Sequence, residues 1–343
     1  MSDFSSLSTS AQSLYIDLRS SLEDDEASNL IGNLIEVEIR GRVYLYDQFR
    51  LGGKEVKRYI GPKTEESTSR FENINALKEM RKHRREERSR TLKKLRAEGV
   101  LTPDMETGKV LSGMARSGVF RLGGVLVGTN AFRLYELELG ARFMADDSVS
   151  TRDIDIAGFE RFSFVVEDKA DPELNLTLKN LGYNARLGLD QAQAWRWQNT
   201  SVAGSREVEF LTPSFEEDEG VKFLPSLGVH AQSLHYMNFL IRDPLKVAAL
   251  YRDGVLVQVP RPERYAVHKL IVADRRSDRS PIKARKDLRQ ASLLIQILME
   301  VRPTDLQMAF EEAMAEGPAW KARVKSSLDK MPSLKKELLF YNE

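Results

Sequence analysis

The stretch from Leu122 to Ala157 constrains this chain more than any other, because it joins a glycine-rich turn to a pair of spaced aspartates. It opens Leu122-Gly123-Gly124-Val125-Leu126-Val127-Gly128-Thr129-Asn130-Ala131-Phe132 and closes, after a helical interlude, on Asp153-Ile154-Asp155-Ile156-Ala157. Alternation with period two predicts a strand over 153–157, with both carboxylates on one face and Ile154 and Ile156 on the other. Two carboxylates about 7 Å apart along a strand repel each other unless a cation sits between them. Val125–Val127 reads as a short buried strand, and the Gly128-Thr129 turn behind it offers main-chain N–H groups and a hydroxyl to phosphate. An isolated D-x-D beside a turn also suits two solvated strand residues. Turn and acids in one stretch point to metal plus triphosphate, the chemistry of phosphoryl or nucleotidyl transfer.

The rest of the composition excludes more than it specifies. A chain of 343 residues with 41% apolar content can bury a sizeable core, and its length suggests two or three domains. Fifty-two basic against 51 acidic residues leave a formal charge of +1, so the whole chain is no polyelectrolyte binder; the segregation of charge carries the information. With no cysteine there are no disulfides, thiolate metal sites or thiol nucleophiles. The four histidines, His83, His230, His235 and His268, show no H-x-x-x-H spacing, which argues against a zinc hydrolase. No apolar run approaches a membrane span, and the N-terminal residues lack a basic segment followed by an apolar core, so a cytoplasmic protein with no membrane partner is expected.

Along the chain, the first ten residues read as frayed, and Ala11 to about Gly32 as a loose helix. The runs Ile35–Arg40, Val43–Tyr46 and Lys54–Gly61 predict a small antiparallel sheet turning at Leu51-Gly52-Gly53-Lys54. Glu65 to Ala97 follows as a long helix. Its middle, Arg81-Lys82-His83-Arg84-Arg85-Glu86-Glu87-Arg88-Ser89-Arg90, has almost no apolar residue and must be solvated or laid against an anion. Thr102 and Pro103 read as N-cap and first residue of the next helix. Helices are expected over 130–139, capped by Gly140, and over 173–181, closed by Gly182. Strands are expected over 196–200 and 206–211, probable partners in pairing, with further extended candidates at 234–241 and 255–259. From Pro262 onward the chain reads as all helix: 262–275, 283–301, 304–316 and a basic amphipathic segment 321–339. The fold class is therefore α+β with an α/β core. Residues 1–100 would form an N-terminal helix, hairpin and long basic helix, 101–260 a small mixed-sheet core, and 261–343 a helical cap.

The order of these parts resembles the DNA polymerase beta-like nucleotidyltransferase superfamily, which sets a glycine and hydroxyl at a strand-to-helix turn, then D-x-D, then a third carboxylate on a later strand. The matching residues are Gly128 and Thr129, Asp153 and Asp155, and Glu209 in Val208-Glu209-Phe210-Leu211-Thr212-Pro213. The wording is closest to bacterial nucleotidyltransferase proteins related to AbiEii-type toxins, with His268-Lys269-Leu270 and Lys286-Asp287-Leu288 in the downstream helical block. The likeness spans roughly residues 34 to 300. Two departures stand out: threonine replaces the usual serine, and the interval from Gly128 to Asp153 is about twice the usual one, with the extra length near Leu134–Val149.

The resemblance implies Mg2+ or Mn2+ on Asp153, Asp155 and Glu209, with an NTP as substrate, and physical chemistry gives the reason. Transfer of a nucleotidyl group needs hard divalent cations to bridge phosphate oxygens, and carboxylates are the donors they take. Glu209 would also assist deprotonation of the acceptor hydroxyl. Gly128 and Thr129 would hold the terminal phosphates. Lys269 is the best candidate to neutralise departing pyrophosphate, with Arg275, Arg276, Lys283 and Lys286 as weaker ones. Asp287 is as well suited to pairing with a neighbouring arginine as to chemistry, and Trp195 and Trp197 suit core packing better than base stacking.

Three readings of the substrate remain open. The acceptor is an RNA end, such as that of tRNA, in a toxin or stress factor with an antitoxin or regulator as partner; the polyanion would lie on Arg81, Arg84, Arg85, Arg88, Lys93 and the 43–59 hairpin. The acceptor is a small molecule or protein, with Glu216-Glu217-Asp218-Glu219 in its pocket. Or the chain is a non-catalytic nucleotide-binding protein on the same fold.

Overall fold

The computed structural model describes residues 4–27, 33–51, 54–144, 151, 153–159, 169–186, 194–201, 205–216 and 219–338, of which 27, 33–34, 51, 54 and 65–79 by backbone alone. The N-terminal third comprises β1 (Phe4–Ser6), α1 (Thr9–Ala27), the strands β2 (Asn33–Ile39), β3 (Arg42–Leu51) and β4 (Lys54–Pro62), and the long α2 (Glu65–Ala97). After it come α3 (Met105–Arg116), β5 (Val125–Val127), α4 (Gly128–Leu139), β6 (Ala141–Phe143), β7 (Asp153–Ala157), α5 (Leu174–Asn180), β8 (Asn184–Arg186), β9 (Arg196–Asn199) and β10 (Arg206–Pro213). Then follow β11 (Val221–Leu224), β12 (Val229–Leu234), α6 (Met237–Ile241), β13 (Leu245–Ala249) and β14 (Val255–Val259). Five helices end the chain: α7 (Pro262–Arg276), α8 (Pro281–Val301), α9 (Pro303–Ala315), α10 (Pro318–Asp329) and α11 (Pro332–Glu337). The mixed α and β composition agrees with the sequence expectation.

The central sheet runs β11-β12-β10-β7-β5, with β9 also paired to β10 and β8 to β9. It is mixed: β7 and β12 are parallel to β10, whereas β5 lies antiparallel to β7 and β9 to β10. Ile154, Ile156, Val208 and Phe210 are fully buried, so β7 and β10 bury their alternate residues while their acids face the other way. The main core joins this sheet to α4, α7 and α8, and a second cluster gathers Leu18, Leu22, Leu92 and Leu95 with Leu250 and Leu256. All five terminal helices start on proline, whose missing N–H costs nothing at the first helical position. No described helix is long and apolar enough to cross a membrane.

Several local expectations are corrected. Residues 1–3 lie outside the described residues, but those from Phe4 on are not frayed: Phe4–Ser6 pairs antiparallel with Ala141–Phe143, and Leu7 is buried. Much of the long interval between Gly128 and Asp153 is therefore structural, filled by α4, its left-handed Gly140 cap and this pairing. The cap of α3 is Asp104, not Thr102, because its carboxylate accepts the N–H groups of Glu106 and Thr107 at 3.0 and 3.1 Å. The run 234–241 is not one extended piece: Tyr236 turns left-handed, with φ 70°, and α6 follows.

The arginine-rich middle of α2 is laid against anions of its own chain. Arg88, with a side chain only 5% exposed, pairs with Asp25 at 2.8 Å and Asp253 at 3.7 Å and donates to the Ser21 and Asp253 carbonyls. Arg84 pairs with Asp25 at 3.2 Å, Arg85 with Asp253 at 3.7 Å, and Arg96 donates to the Leu250 carbonyl. This helix clamps α1 to the β13–β14 hairpin.

Candidate active site

Strand register brings the acids together. Asp155 on β7 stands beside Glu209 on the parallel β10 and beside Val127 on the antiparallel β5, while Asp153 stands beside Glu207. The chain leaves β5 at Gly128 with φ 68°, and a Cβ built there would lie 2.3 Å from Asp155 Oδ2. Glycine is thus required twice over, for its backbone angle and for the close approach of a carboxylate. Below the turn, the Tyr265 hydroxyl lies 2.9 Å from the Gly128 carbonyl and 3.0 Å from Gln290 Oε1, and Gln290 Nε2 donates to Thr129 Oγ1 at 3.3 Å. The Thr129 side chain is consequently engaged beneath the turn.

A cleft of about 300 Å3 opens over these residues. Gly128, Asp155 and Glu209 form one wall, Leu211, Leu234, Met237 and Leu240 an apolar flank, and α7 the opposite wall. On α7 the lining residues Tyr265, Lys269, Val272 and Arg276 recur at helical spacing, with Arg279 just past the helix end, a cationic stripe facing the acids. Lys269 is largely buried, its Nζ 2.6 Å from Asp287 Oδ1 and 5.2 Å from the centre of the Tyr265 ring. Arg276 reaches Asp287 Oδ2 at 2.7 Å. One buried carboxylate on α8 thus holds two cations of α7, and they keep that carboxyl below its usual range against the effect of burial.

Across the cleft the balance is reversed. Burial, with the neighbouring charges of Glu209 and Asp153, pushes Asp155 up to about 7, and the pull of Lys269 and Arg276 is too weak to offset it. Glu209 is likewise raised, chiefly by burial, although Arg196 of β9 lies 2.9 Å away, close in charge but not aligned as a hydrogen bond. His268, beside Lys269, is pushed down to about 3 by burial and that adjacent charge and is neutral.

This donor set suits a hard divalent cation: three carboxylates on two adjoining strands, with Asp155 and Glu209 both raised by burial and by their acidic neighbours. As the side chains stand, no group of three or more acidic or histidine residues among the described residues converges tightly enough to hold an ion. Binding would draw Glu209 away from Arg196.

The sequence candidates therefore divide. Asp155, Glu209, Gly128, Lys269, Arg275 and Arg276 line the cleft, with Arg275 tied to Glu219 at 3.0 Å. Asp153 is exposed and not among the residues lining the cleft, although it shares a strand face with Asp155. Lys286 lines a neighbouring hollow on α8, where burial and Lys269 lower its pKa while Asp153 and Asp155 raise it. Lys283 acts on Glu209 through charge. Of the acidic run, Glu216 pairs with Lys222 and Glu219 with Arg275, while residues 217 and 218 lie outside the described residues. Trp197 packs in the core. Asp287 pairs with Arg276, one of the two readings its sequence allowed, and with Lys269 besides; Tyr265 and Gln290 were not anticipated, and the spacing of Tyr265, Lys269 and Arg276 on one helix was the available signal.

A family model described as "Nucleotidyltransferase" matches residues 105–315. No curated protein matches the chain. A solved structure, an antigenic nucleotidyltransferase-like protein from Paracoccidioides brasiliensis, aligns with 14% identity and a TM-score of 0.35 over 65% of this chain and 94% of its own.

Proposed function

This chain belongs to a nucleotidyltransferase family, and from that premise we propose that it moves an NMP from an NTP to an acceptor hydroxyl, best matched by an RNA end such as that of tRNA. The observation that carries the reading is the opposition within one cleft of Asp155 and Glu209 to Lys269 and Arg276. Asp153 and Asp155 would hold Mg2+ or Mn2+, with Glu209 as the third ligand. Such an ion would supply positive charge to the phosphates and so lower the barrier to attack at the α-phosphorus.

The remaining tasks fall to the chain itself. Lys269 and Arg276, fixed by Asp287, present positive charge to the β and γ phosphates as pyrophosphate leaves. Because Thr129 is occupied by Gln290, main-chain N–H groups at the Gly128 turn are the better phosphate contact there. The flank of Leu211, Leu234, Met237 and Leu240 accepts the base, and Glu209 receives the proton of the acceptor hydroxyl. Lys286 and Lys283 add positive potential from α8. The sequence likeness to AbiEii-type toxins makes growth arrest on expression, relieved by an antitoxin, the physiological counterpart of this reading.

The test is incubation with each α-labelled NTP, magnesium and total RNA, beside an Asp155→Asn control. Label entering RNA only with the wild type is the expected result. Label confined to small molecules or protein would overturn the RNA acceptor, and label in nothing would overturn the transfer itself.

A further inference from the structure

The β2–β4 sheet has two faces of opposite character. Towards the protein it turns Leu45, Asp47 and Phe49, all buried, with Arg58 paired to Asp47 at 3.1 Å. On the other face, register sets Tyr44 beside Val37, Tyr46 between Ile35 and Tyr59, and Gln48 beside Lys57. The three tyrosines touch: ring centres are 6.0 Å apart for Tyr44 and Tyr59 and 5.5 Å for Tyr46 and Tyr59. Tyr59 is 53% exposed.

Charge divides between the faces as well. Arg42, Arg50 and Lys57 share the tyrosine face, where among the described residues Glu55 is the only acid by register, 3.9 Å from Lys57 in an exposed pair; Glu36 and Glu38 of β2 fall on the opposite face. Arg42, Arg50 and Lys57 are exposed. An aromatic patch of this kind, set on a solvent-facing sheet and edged by cations, has the two features that single-stranded nucleic acid needs. Rings offer stacking surfaces to unpaired bases, and the cations offer contacts to the phosphates between them. A protein partner would ask for a more continuous apolar surface than one interrupted by arginine and lysine. Arg84, Arg85 and Arg88 of α2, by contrast, are spent on Asp25 and Asp253.

We propose that the outer face of β2–β4 is the docking surface for a single-stranded RNA acceptor. Tyr44, Tyr46 and Tyr59 stack on bases, and Arg42, Arg50 and Lys57 contact the backbone. The inference rests on the reading of RNA as acceptor and adds where the strand lies.

The experiment measures anisotropy of a fluorescein-labelled single-stranded RNA 20-mer against the full chain, without NTP or metal, so that binding is read apart from transfer. Wild type should bind. Tyr59→Ala should weaken binding about tenfold, as expected for loss of one stacked base, while Tyr59→Phe, which keeps the ring, restores it. Lys57→Ala should weaken binding to all sequences alike and lower the slope against log salt by roughly 0.7. Unchanged thermal melting of these exposed-residue variants separates lost contact from lost fold. Absence of RNA binding by wild type, or equal binding by wild type and Tyr59→Ala, overturns the surface. If binding follows the tyrosines while wild type labels no acceptor, the surface stands and the transfer reading fails. If RNA is labelled and Tyr59→Ala binds normally, the transfer reading stands and the surface fails.

Discussion

The arginine-rich middle of α2 and the carboxylate wall of the cleft both concentrate charge of one sign, and the fold treats them in opposite ways. On α2, Arg84, Arg85 and Arg88 meet Asp25 and Asp253, supplied by segments far away in the sequence, so the charge becomes part of the packing. In the cleft, Asp155 is pressed against Glu209 and Asp153, while the nearest cations, Lys269 and Arg276, are already committed to Asp287. A protein that neutralises arginines on a helix and leaves carboxylates facing one another spends stability at the second place. What the difference teaches is where to expect structure and where chemistry: satisfied charge holds elements together, and unsatisfied charge awaits a ligand.

That contrast can be broken experimentally. Asp155→Asn should lower nucleotidyl transfer by about 10³-fold, some 4 kcal/mol of barrier, while leaving the protein folded; transfer rates near wild type would place the chemistry elsewhere. Arg88→Ala should do the reverse. Leaving Asp25 and Asp253 without their shared partner is expected to cost about 3 kcal/mol, measured by urea unfolding. A loss no larger than that of an exposed arginine would mean that α2 is not a clamp. Gly128→Ala pushes a methyl group against the Asp155 carboxylate and should reduce transfer about 10²-fold, since small displacements at reacting groups are costly.

The pH dependence of metal-free melting sharpens the comparison further. Asp155 binds its proton up to about pH 7 in the folded protein but only to about 3.8 when unfolded. Its contribution to stability is therefore full below pH 4 and is lost as pH rises through 7. Asp155→Asn should flatten that decline and melt several degrees above wild type at pH 8; identical pH slopes would deny that the carboxylate is strained. The smallest effect belongs to Lys93→Ala, on the exposed side of α2, with stability expected within about 0.5 kcal/mol of wild type.

How much of this was legible in advance follows from the range of the interactions involved. The strand Asp153–Ala157, the Gly128 turn, the Gly140 and Gly182 ends and the run of terminal helices all express local rules, of alternation, left-handed backbone and proline at a helix start. Those rules act within a few residues, so the sequence displays them directly. The cap of α3 was misplaced by two residues because Thr102, Pro103 and Asp104 all carry helix-start signals, and only the Asp104 carboxylate meets the N–H groups. The frayed N-terminus was misjudged because the partner of Phe4–Ser6 lies some 135 residues away.

By itself, then, the sequence determined the chemistry on offer: two aspartates on one strand face, a glycine and a hydroxyl at the turn before them, a glutamate on a later strand, and lysines on a helix near the end. Only the tertiary structure decided which charges are spent. It gave the arginines of α2 to Asp25 and Asp253, gave Asp287 to Lys269 and Arg276, gave Thr129 to Gln290, and left Asp155 beside Glu209. The physical reason is that a residue's charge is written in the chain, whereas its neutralisation depends on what folds to within a few ångströms of it.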